Sequence, residues 1–370
     1  MKKIGKQVAF IGTTAQNPRN GEGSFLRFPD NSIAYIYTEY YAGDGDDHGT
    51  ARFSAIYSYD EGETWSDPSV FYEKDEKSMN IMSVSCITMQ DGGSGIVFLR
   101  KEMGSDHVIY CMPWFMSSYD NGKTWSKPIV IAKLPAYYCA VNDCAIVLKS
   151  GRILVTASYN EFCGSKDGGH IHNFCSDDNG KTWFKLDGVI DSPLHDPAGL
   201  QEPGIYEQEN GRLWCWMRTC YGYQYQAFSD DSGNTWSACE PNLCFSSPDS
   251  PMRVKKCDKY AVAVFNPNPL NCIHQATEVW GAGKRTPLIC AVSRDDAKSF
   301  DSTNLGLNRK TLKEFYDNTY FIEDDLNDSY CYPAVFPVND GFLISYYHSR
   351  GTDVCLFCAK IVKVYYSEIN

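Results

Sequence analysis

A tyrosine and a glutamate share a register in this chain, and residues of these two types could together do covalent chemistry. Counting nine residues back from the turn residue of an apolar hairpin reaches Glu202 from Gly211 and Tyr332 from Gly341; the same count reaches Asn142 from Gly151 and Glu22 from Asn31. A phenol hydroxyl is a weak nucleophile until a base takes its proton, and a neighbouring carboxylate is such a base. Tyr330, two residues earlier on the same strand, shares the face of Tyr332 by the period of two and is the reserve candidate. Two other groupings resemble metal ligands, and neither is read as a metal site. Cys355 and Cys358 lie in VCLFCAKIVKV, which reads as a strand, where residues three apart face opposite sides. His170 and His172, near Asp167 in GGHIHN, read as a polar surface loop.

Glu202 and Tyr332 are 130 residues apart and act together only if the elements carrying them converge. The chain repeats itself in a way that brings this about. The pattern S-x-D-x-G-x-T-W runs through Ser58–Trp65, Ser118–Trp125, Ser176–Trp183 and Ser229–Trp236, with a degraded fifth copy at Ser293–Phe300. Steps of 60, 58, 53 and 64 residues suit one four-stranded blade of a propeller each. Asp and Gly turn the chain, the Ser and Thr hydroxyls tie the turn, and Trp fills an apolar gap. Six apolar hairpins interleave with these turns, among them DCAIVLKSGRILVTAS, EPGIYEQENGRLWCWMR and YPAVFPVNDGFLISYYH. The expected fold is all-β: a single six-bladed β-propeller of four-stranded antiparallel blades over residues 1–370. Its last blade is closed by TTAQNPRN or the residues before it. The first strand of each blade lines the axis, so Glu22, Asn142, Glu202 and Tyr332 face one central pocket.

Turns of this pattern on a six-bladed propeller resemble the sialidase (neuraminidase) superfamily over essentially the whole chain. The repeat also occurs in propellers that only bind, so the site needs its own argument. The resemblance implies an exo-acting glycoside hydrolase, with Tyr332 as nucleophile, Glu202 as its base, and Asp47, eleven residues before Ser58, as acid/base. Asp46 competes with Asp47 for that role. A sugar bearing a carboxylate at its anomeric carbon repels a carboxylate nucleophile, and a neutral tyrosine avoids the repulsion. Arg218, sixteen residues after Glu202, and Arg285, leading into the fifth turn, match two of the three arginines that clamp the sugar carboxylate in this family. The first arginine departs from the pattern: Arg27 in FLRFP lies too close to its turn, and Glu22 stands in the arginine's place. Arg19 or Arg100 is then needed to neutralise Glu22. His348 stands where the family commonly shows Glu. The expected substrate is a glycan ending in sialic acid or a related acidic sugar. The alternatives are hydrolysis or elimination on a neutral or uronic sugar, and glycan binding without turnover.

A formal net charge of −12 argues against nucleic acid or an anionic membrane as partner. No glycine-rich strand-to-helix fingerprint or Walker-type lysine is present, and no cofactor is expected. The start MKKIGKQVAFIGTTAQ lacks the apolar run of a signal peptide, and the expected location is cytoplasmic. The sixteen cysteines then read as reduced, buried hydrophobes. Residues 307–318 read as a loop helix. Tyr37, Tyr40, Tyr41 and Tyr223 stand near loop mouths, where sugar stacking and blade packing are equally open readings.

Overall fold

The computed structural model describes residues 2–165, 168–193, 199–268, 285–301, 319–350 and 356–370. Residues 307–318, Asp167 and Cys355 lie outside that set. Strand is the dominant regular structure among the described residues, which hold one four-residue helix, Tyr366–Ile369. No described helix is long and apolar enough to cross a membrane.

The hydrogen-bonded ladders form five sheets rather than six separate ones. Two are simple four-stranded meanders: Arg19–Arg27, Ile33–Tyr40, Ala51–Ser58 and Ser69–Tyr72; and Gln201–Glu207, Leu213–Arg218, Tyr223–Ser229 and Glu240–Ser246. A third takes Ser329–Val338, Gly341–Ser349 and Cys358–Tyr365 from the end of the chain and Lys6–Ile11 from its start. The closing strand is thus the segment before TTAQNPRN, one of the two expected closures. The fourth carries Arg253–Cys257, Tyr260–Phe265, Leu288–Ser293 and Tyr320–Glu323, with Lys2–Lys3 added in parallel. The fifth has nine strands because two meanders are fused. Tyr137–Cys139 between them pairs in parallel with Ile109–Ser118 and antiparallel with Ile153–Asn160, so the ladder never breaks.

The repeated turns are built as their chemistry dictates. Ser58 Oγ accepts from Gly62 N at 2.8 Å, Asp60 accepts from Thr64 N at 2.9 Å and from its hydroxyl at 2.6 Å, and Trp65 Nε1 donates to the Gly62 carbonyl at 3.1 Å. The turns at Ser118, Ser176 and Ser229 repeat these bonds. Their tryptophans pack into the core: Trp125 meets Phe71 and Trp183 meets Phe115, each with ring centroids 5.4 Å apart. The degraded copy keeps the Ser293 and Asp295 bonds, but Ala297 replaces the glycine at a φ of +59°. That left-handed backbone is unfavourable for an L-residue. Ala297→Gly is therefore expected to raise the unfolding free energy by about 1 kcal/mol or less, the gain being trimmed by glycine's freedom in the unfolded chain. Urea denaturation with an unchanged slope reads it; a loss of stability contradicts it.

None of the described cysteines is joined in a disulfide, and most are buried. The histidines of GGHIHN are not in a loop. They lie in the strand Gly168–Ser176, where His170 pairs with Asp191 at 3.1 Å and His172 stacks on Tyr159. Among the described residues no group of three His, Cys, Asp or Glu side chains is placed to hold a metal ion.

Candidate active site

Tyr332 and Glu202 meet. The Tyr332 hydroxyl donates to Glu202 Oε1 at 2.5 Å, and Arg218 Nη1 reaches both Glu202 Oε2, at 2.6 Å, and the Tyr332 oxygen, at 3.3 Å. The guanidinium of Arg285 lies 5.5 Å from the centre of the Tyr332 ring. Burial pushes the Tyr332 hydroxyl well above its ordinary pKa; the Glu202 carboxylate adds to this, while Arg218 and Arg285 pull the other way. In this state the phenol is neutral and its proton points at its acceptor.

A local backbone device aims these side chains. Tyr332 has φ +55° and Glu202 φ +44°, and each sits at a break in its ladder, between Cys331 and Ala334 and between Gln201 and Gly204. Glu22, at φ +50°, and Ser83, at φ +56°, occupy matching breaks in Arg19–Arg27 and Ser78–Thr88. Asp143, at φ +56°, holds the corresponding place before Ile146–Val147. Such bulges re-aim a side chain and carry backbone strain of about 1–3 kcal/mol each, a combination that clusters at functional sites. In the third of these segments the re-aimed residue is Asp143, one position beyond the Asn142 expected. Asn142 nevertheless serves the site, donating to the carbonyls of Gly23 at 2.8 Å and of Tyr332 at 3.4 Å. The bulge also separates Tyr330 from Tyr332. Tyr330 stacks on His348, and its hydroxyl lies 3.5 Å from Asp328, so it makes no approach to Glu202.

Glu22 is neutralised by Arg19, one of the two partners anticipated. Arg19 Nη2 donates to Glu22 Oε1 at 2.5 Å, its Nη1 to Asp47 Oδ1 at 2.6 Å, and its Nε to the Tyr347 hydroxyl at 2.9 Å. Ser83 donates to the other Glu22 oxygen at 2.5 Å. Arg19 and Glu22 are each 3% exposed. Gly21 makes room for this knot: a Cβ there would fall 2.2 Å from the Tyr347 ring. Arg100, the other anticipated partner, stands apart; it pairs with Asp75 at 2.7 Å and with Glu102, and its guanidinium lies over Trp114. Its neighbour Lys101 faces the site instead, donating to the Asp47 carbonyl at 2.5 Å.

Asp47 caps this arrangement from its loop, with 59% of its side chain exposed. Asn80 holds the loop by donating to the carbonyls of Asp47 and Gly49, both at 3.0 Å. Partial burial pushes the Asp47 carboxyl up, but Arg19, Lys101 and His48 outweigh it and hold the group below its ordinary pKa. The Asp46 carboxylate turns to the His48 backbone N–H at 2.6 Å, away from this cluster.

Asp249, which no sequence pattern singled out, ties the two remaining arginines together. Its carboxylate accepts from Arg218 Nε, and its carbonyl accepts from Arg285 Nε at 3.0 Å. Tyr347, one residue before His348, is the residue of that strand that joins the site; its ring meets that of Tyr332 edge-on at 5.9 Å. His348 points to the other side and pairs with Asp328 at 2.8 Å. Of the mouth tyrosines, Tyr37 and Tyr40 are buried in packing and Tyr41 is half-buried beneath Arg52.

Residues 97–344, well over half of the chain, match the BNR repeat-like domain family. Among solved structures, the chain is similar to a protein of unknown function from Dyadobacter fermentans, at 16% identity over 97% of this chain and 99% of that one, with a TM-score of 0.69. It is similar to the NanB sialidase of Streptococcus pneumoniae at 12% identity over 99% and 71% of the two chains, TM-score 0.70. The intramolecular trans-sialidase of Ruminococcus gnavus, solved with oseltamivir carboxylate, matches at 12% identity over 98% and 97%, TM-score 0.70. Identities this low carry the fold alone. The chain belongs to the BNR repeat-like family and has the fold of the sialidase superfamily.

Proposed function

We propose that the protein is an exo-acting, retaining glycoside hydrolase of sialidase type on a single six-bladed propeller, the nine-stranded sheet counting as two blades. The observation that carries the reading is the Tyr332 hydroxyl 2.5 Å from Glu202 with Arg218 bridging the pair. The Tyr332 oxygen attacks the anomeric carbon as Glu202 takes its proton. The glycosidic C–O bond breaks, and Asp47 protonates the departing oxygen. Water then attacks the glycosyl-tyrosine, giving its proton to Asp47, while the Tyr332 oxygen leaves and recovers its proton from Glu202. Arg218 and Arg285 hold an acidic group on a terminal sialic acid or a related sugar. Residues 47, 202 and 332 do the chemistry; Glu22, Arg19 and Tyr347 fix the floor beneath it.

A second reading has the same machinery acting on a neutral or uronic sugar. It is favoured by the internal pairing of the cations: Arg19 is held by Glu22 and Asp47, and Arg218 by Glu202 and Asp249. Fluorophore release from a panel of umbelliferyl glycosides, led by the sialoside, separates the two readings. Release from no glycoside, with glycan binding that survives substitution of Tyr332, contradicts both.

The pH dependence follows from Asp47. Because Arg19, Lys101 and His48 hold its pKa low in the free protein, the protonated fraction falls about tenfold for each unit of rising pH above that pKa. For a glycoside with an alkyl leaving group, kcat/KM is expected to fall steadily between pH 5 and pH 8 on the order of tenfold per unit. For an umbelliferyl leaving group, which departs without a proton, this slope is expected to vanish. Asp47→Asn is expected to cost about 100-fold or more on the alkyl glycoside and far less on the aryl one. Equal losses on both substrates contradict the assignment.

A further inference from the structure

The six chain segments that converge on the axis run from the site toward their turns, and beyond the site they enclose a second space. Arg19–Arg27 gives Arg19 and Glu22 to the first and Phe25 to Arg27 to the second; Gln201–Glu207 gives Glu202 to the first and Ile205 to Glu207 to the second; Ser329–Val338 gives Tyr332 and then Phe336 and Pro337. A buried layer of Asn142, Asp143 and Arg253 lies between them. The far cavity holds about 400 Å³, within the range of small-molecule sites, roughly 300–1,000 Å³. Its wall is mainly apolar, with Leu26, Ile87, Ala145, Ile205, Val254 and Phe336 among its residues.

The polar groups at its floor are few and mostly cationic. Arg253 is 2% exposed, and its Nη2 donates to the Asn142 carbonyl at 2.6 Å. Its Nε, also buried, has no hydrogen-bond partner; the nearest carboxylate oxygen, Asp143 Oδ2, is 3.8 Å away. Asp143 itself is well served, by Ser24 Oγ at 3.0 Å, Lys255 Nζ at 2.9 Å and the Val335 N–H at 3.3 Å. The Lys255 side chain is 30% exposed and retains donors beyond the one that Asp143 takes. At the rim, Arg27, Lys149 and Lys256 lean on Glu61 and Glu209, which are not part of the lining, while the one acid of the rim itself, Glu207, accepts from the Lys149 backbone N–H at 2.8 Å. Two cations face one carboxylate at the floor, on a chain whose overall charge is −12. An unpartnered buried guanidinium N–H is costly, and an apolar cavity of this size gains from being filled by an apolar body.

The geometry points to this axial cavity as a second binding site, distinct from the Tyr332 site, for a small amphipathic anion: an apolar body carrying one carboxylate or sulfonate, seated with its acid toward Arg253 and Lys255. The inference does not depend on the hydrolase reading. The probe is 8-anilinonaphthalene-1-sulfonate, an apolar sulfonate, titrated into the folded full chain while its fluorescence is followed. One saturable site is expected. Lys255→Met is expected to weaken it about tenfold, as loss of a charged hydrogen bond does, and it leaves Asp143 more exposed as a repulsive charge. Val147→Trp, at a partly exposed lining position, is expected to abolish binding by filling the space. Tyr332→Phe, across the Asn142 layer, is expected to leave the affinity unchanged. A cooperative thermal transition in each variant shows that the dye is reading the cavity and not a loosened core. Non-saturating fluorescence in the wild type, or affinity unchanged in both cavity variants, overturns the proposal.

Discussion

Tyr332→Phe is expected to abolish glycoside turnover, by about 10⁴-fold or more in kcat, while the protein stays folded. Removing the hydroxyl deletes the atom proposed to attack. The change leaves little else undone. Glu202 keeps its bond from Arg218, so no carboxylate is stranded, and the phenyl ring keeps its contacts with Tyr347 and Arg285. Far-UV dichroism and the melting temperature are therefore expected to change little. Turnover within tenfold of wild type would remove Tyr332 from the reaction. Loss of turnover accompanied by loss of the cooperative melt would be a folding defect, and Glu202→Gln would then be the deciding variant.

The largest effect on stability is expected from Arg19→Met. Its guanidinium satisfies a buried carboxylate, Glu22, a more exposed one, Asp47, and the buried Tyr347 hydroxyl, while its face packs 4.4 Å from the Tyr40 ring centre. Burial disfavours the Arg19 cation, yet Tyr347, Tyr40, Glu22 and Asp47 together keep its pKa raised. Removing one member of a buried pair strands the other, at a cost of about 3–5 kcal/mol. Ser83 and Tyr347 still bond Glu22 but bring no charge. Arg100→Met is the control: its partner side chains, Asp75 and Glu102, are 53% and 40% exposed, and pairs of that kind are worth about 1 kcal/mol or less. Denaturation midpoints in urea, at constant slope, compare the two. Equal effects would mean that Glu22 does not need Arg19.

Particular residues show what the sequence made legible. The spacing of the turns led to an all-β fold, because Ser, Asp, Gly, Thr and Trp each have one mechanical role in that turn. The shared distance to the turn led to Glu202 and Tyr332, because strands entering a common axis in one direction place equal offsets at equal depth. That offset failed at Asn142, where the third segment re-aims the following residue, Asp143. It could not show the bulges, although Pro203 and Pro333, which lack the N–H a central ladder needs, stand directly after the re-aimed Glu202 and Tyr332 and were the available signal. The bulge is also why period-two reasoning kept Tyr330 in reserve while the chain directs it to His348. Arg100 was misplaced for a similar reason: a register carried from one hairpin to another slips by one residue and reverses the face, so that Lys101 stands on the site side instead. Asp249 left no trace because it lies in a loop with no repeated pattern, and only the fold brings it to Arg218.

The central assignment is tested most directly by trapping the intermediate. Incubation with a fluorinated glycosyl fluoride, whose electron-poor ring slows the second step, followed by digestion and peptide mass spectrometry, locates the covalent bond. The sugar is expected on the Tyr332 oxygen, with no label in Tyr332→Phe. A label on Glu202 or Asp47, or continued turnover with no labelled peptide at all, would contradict a tyrosine nucleophile.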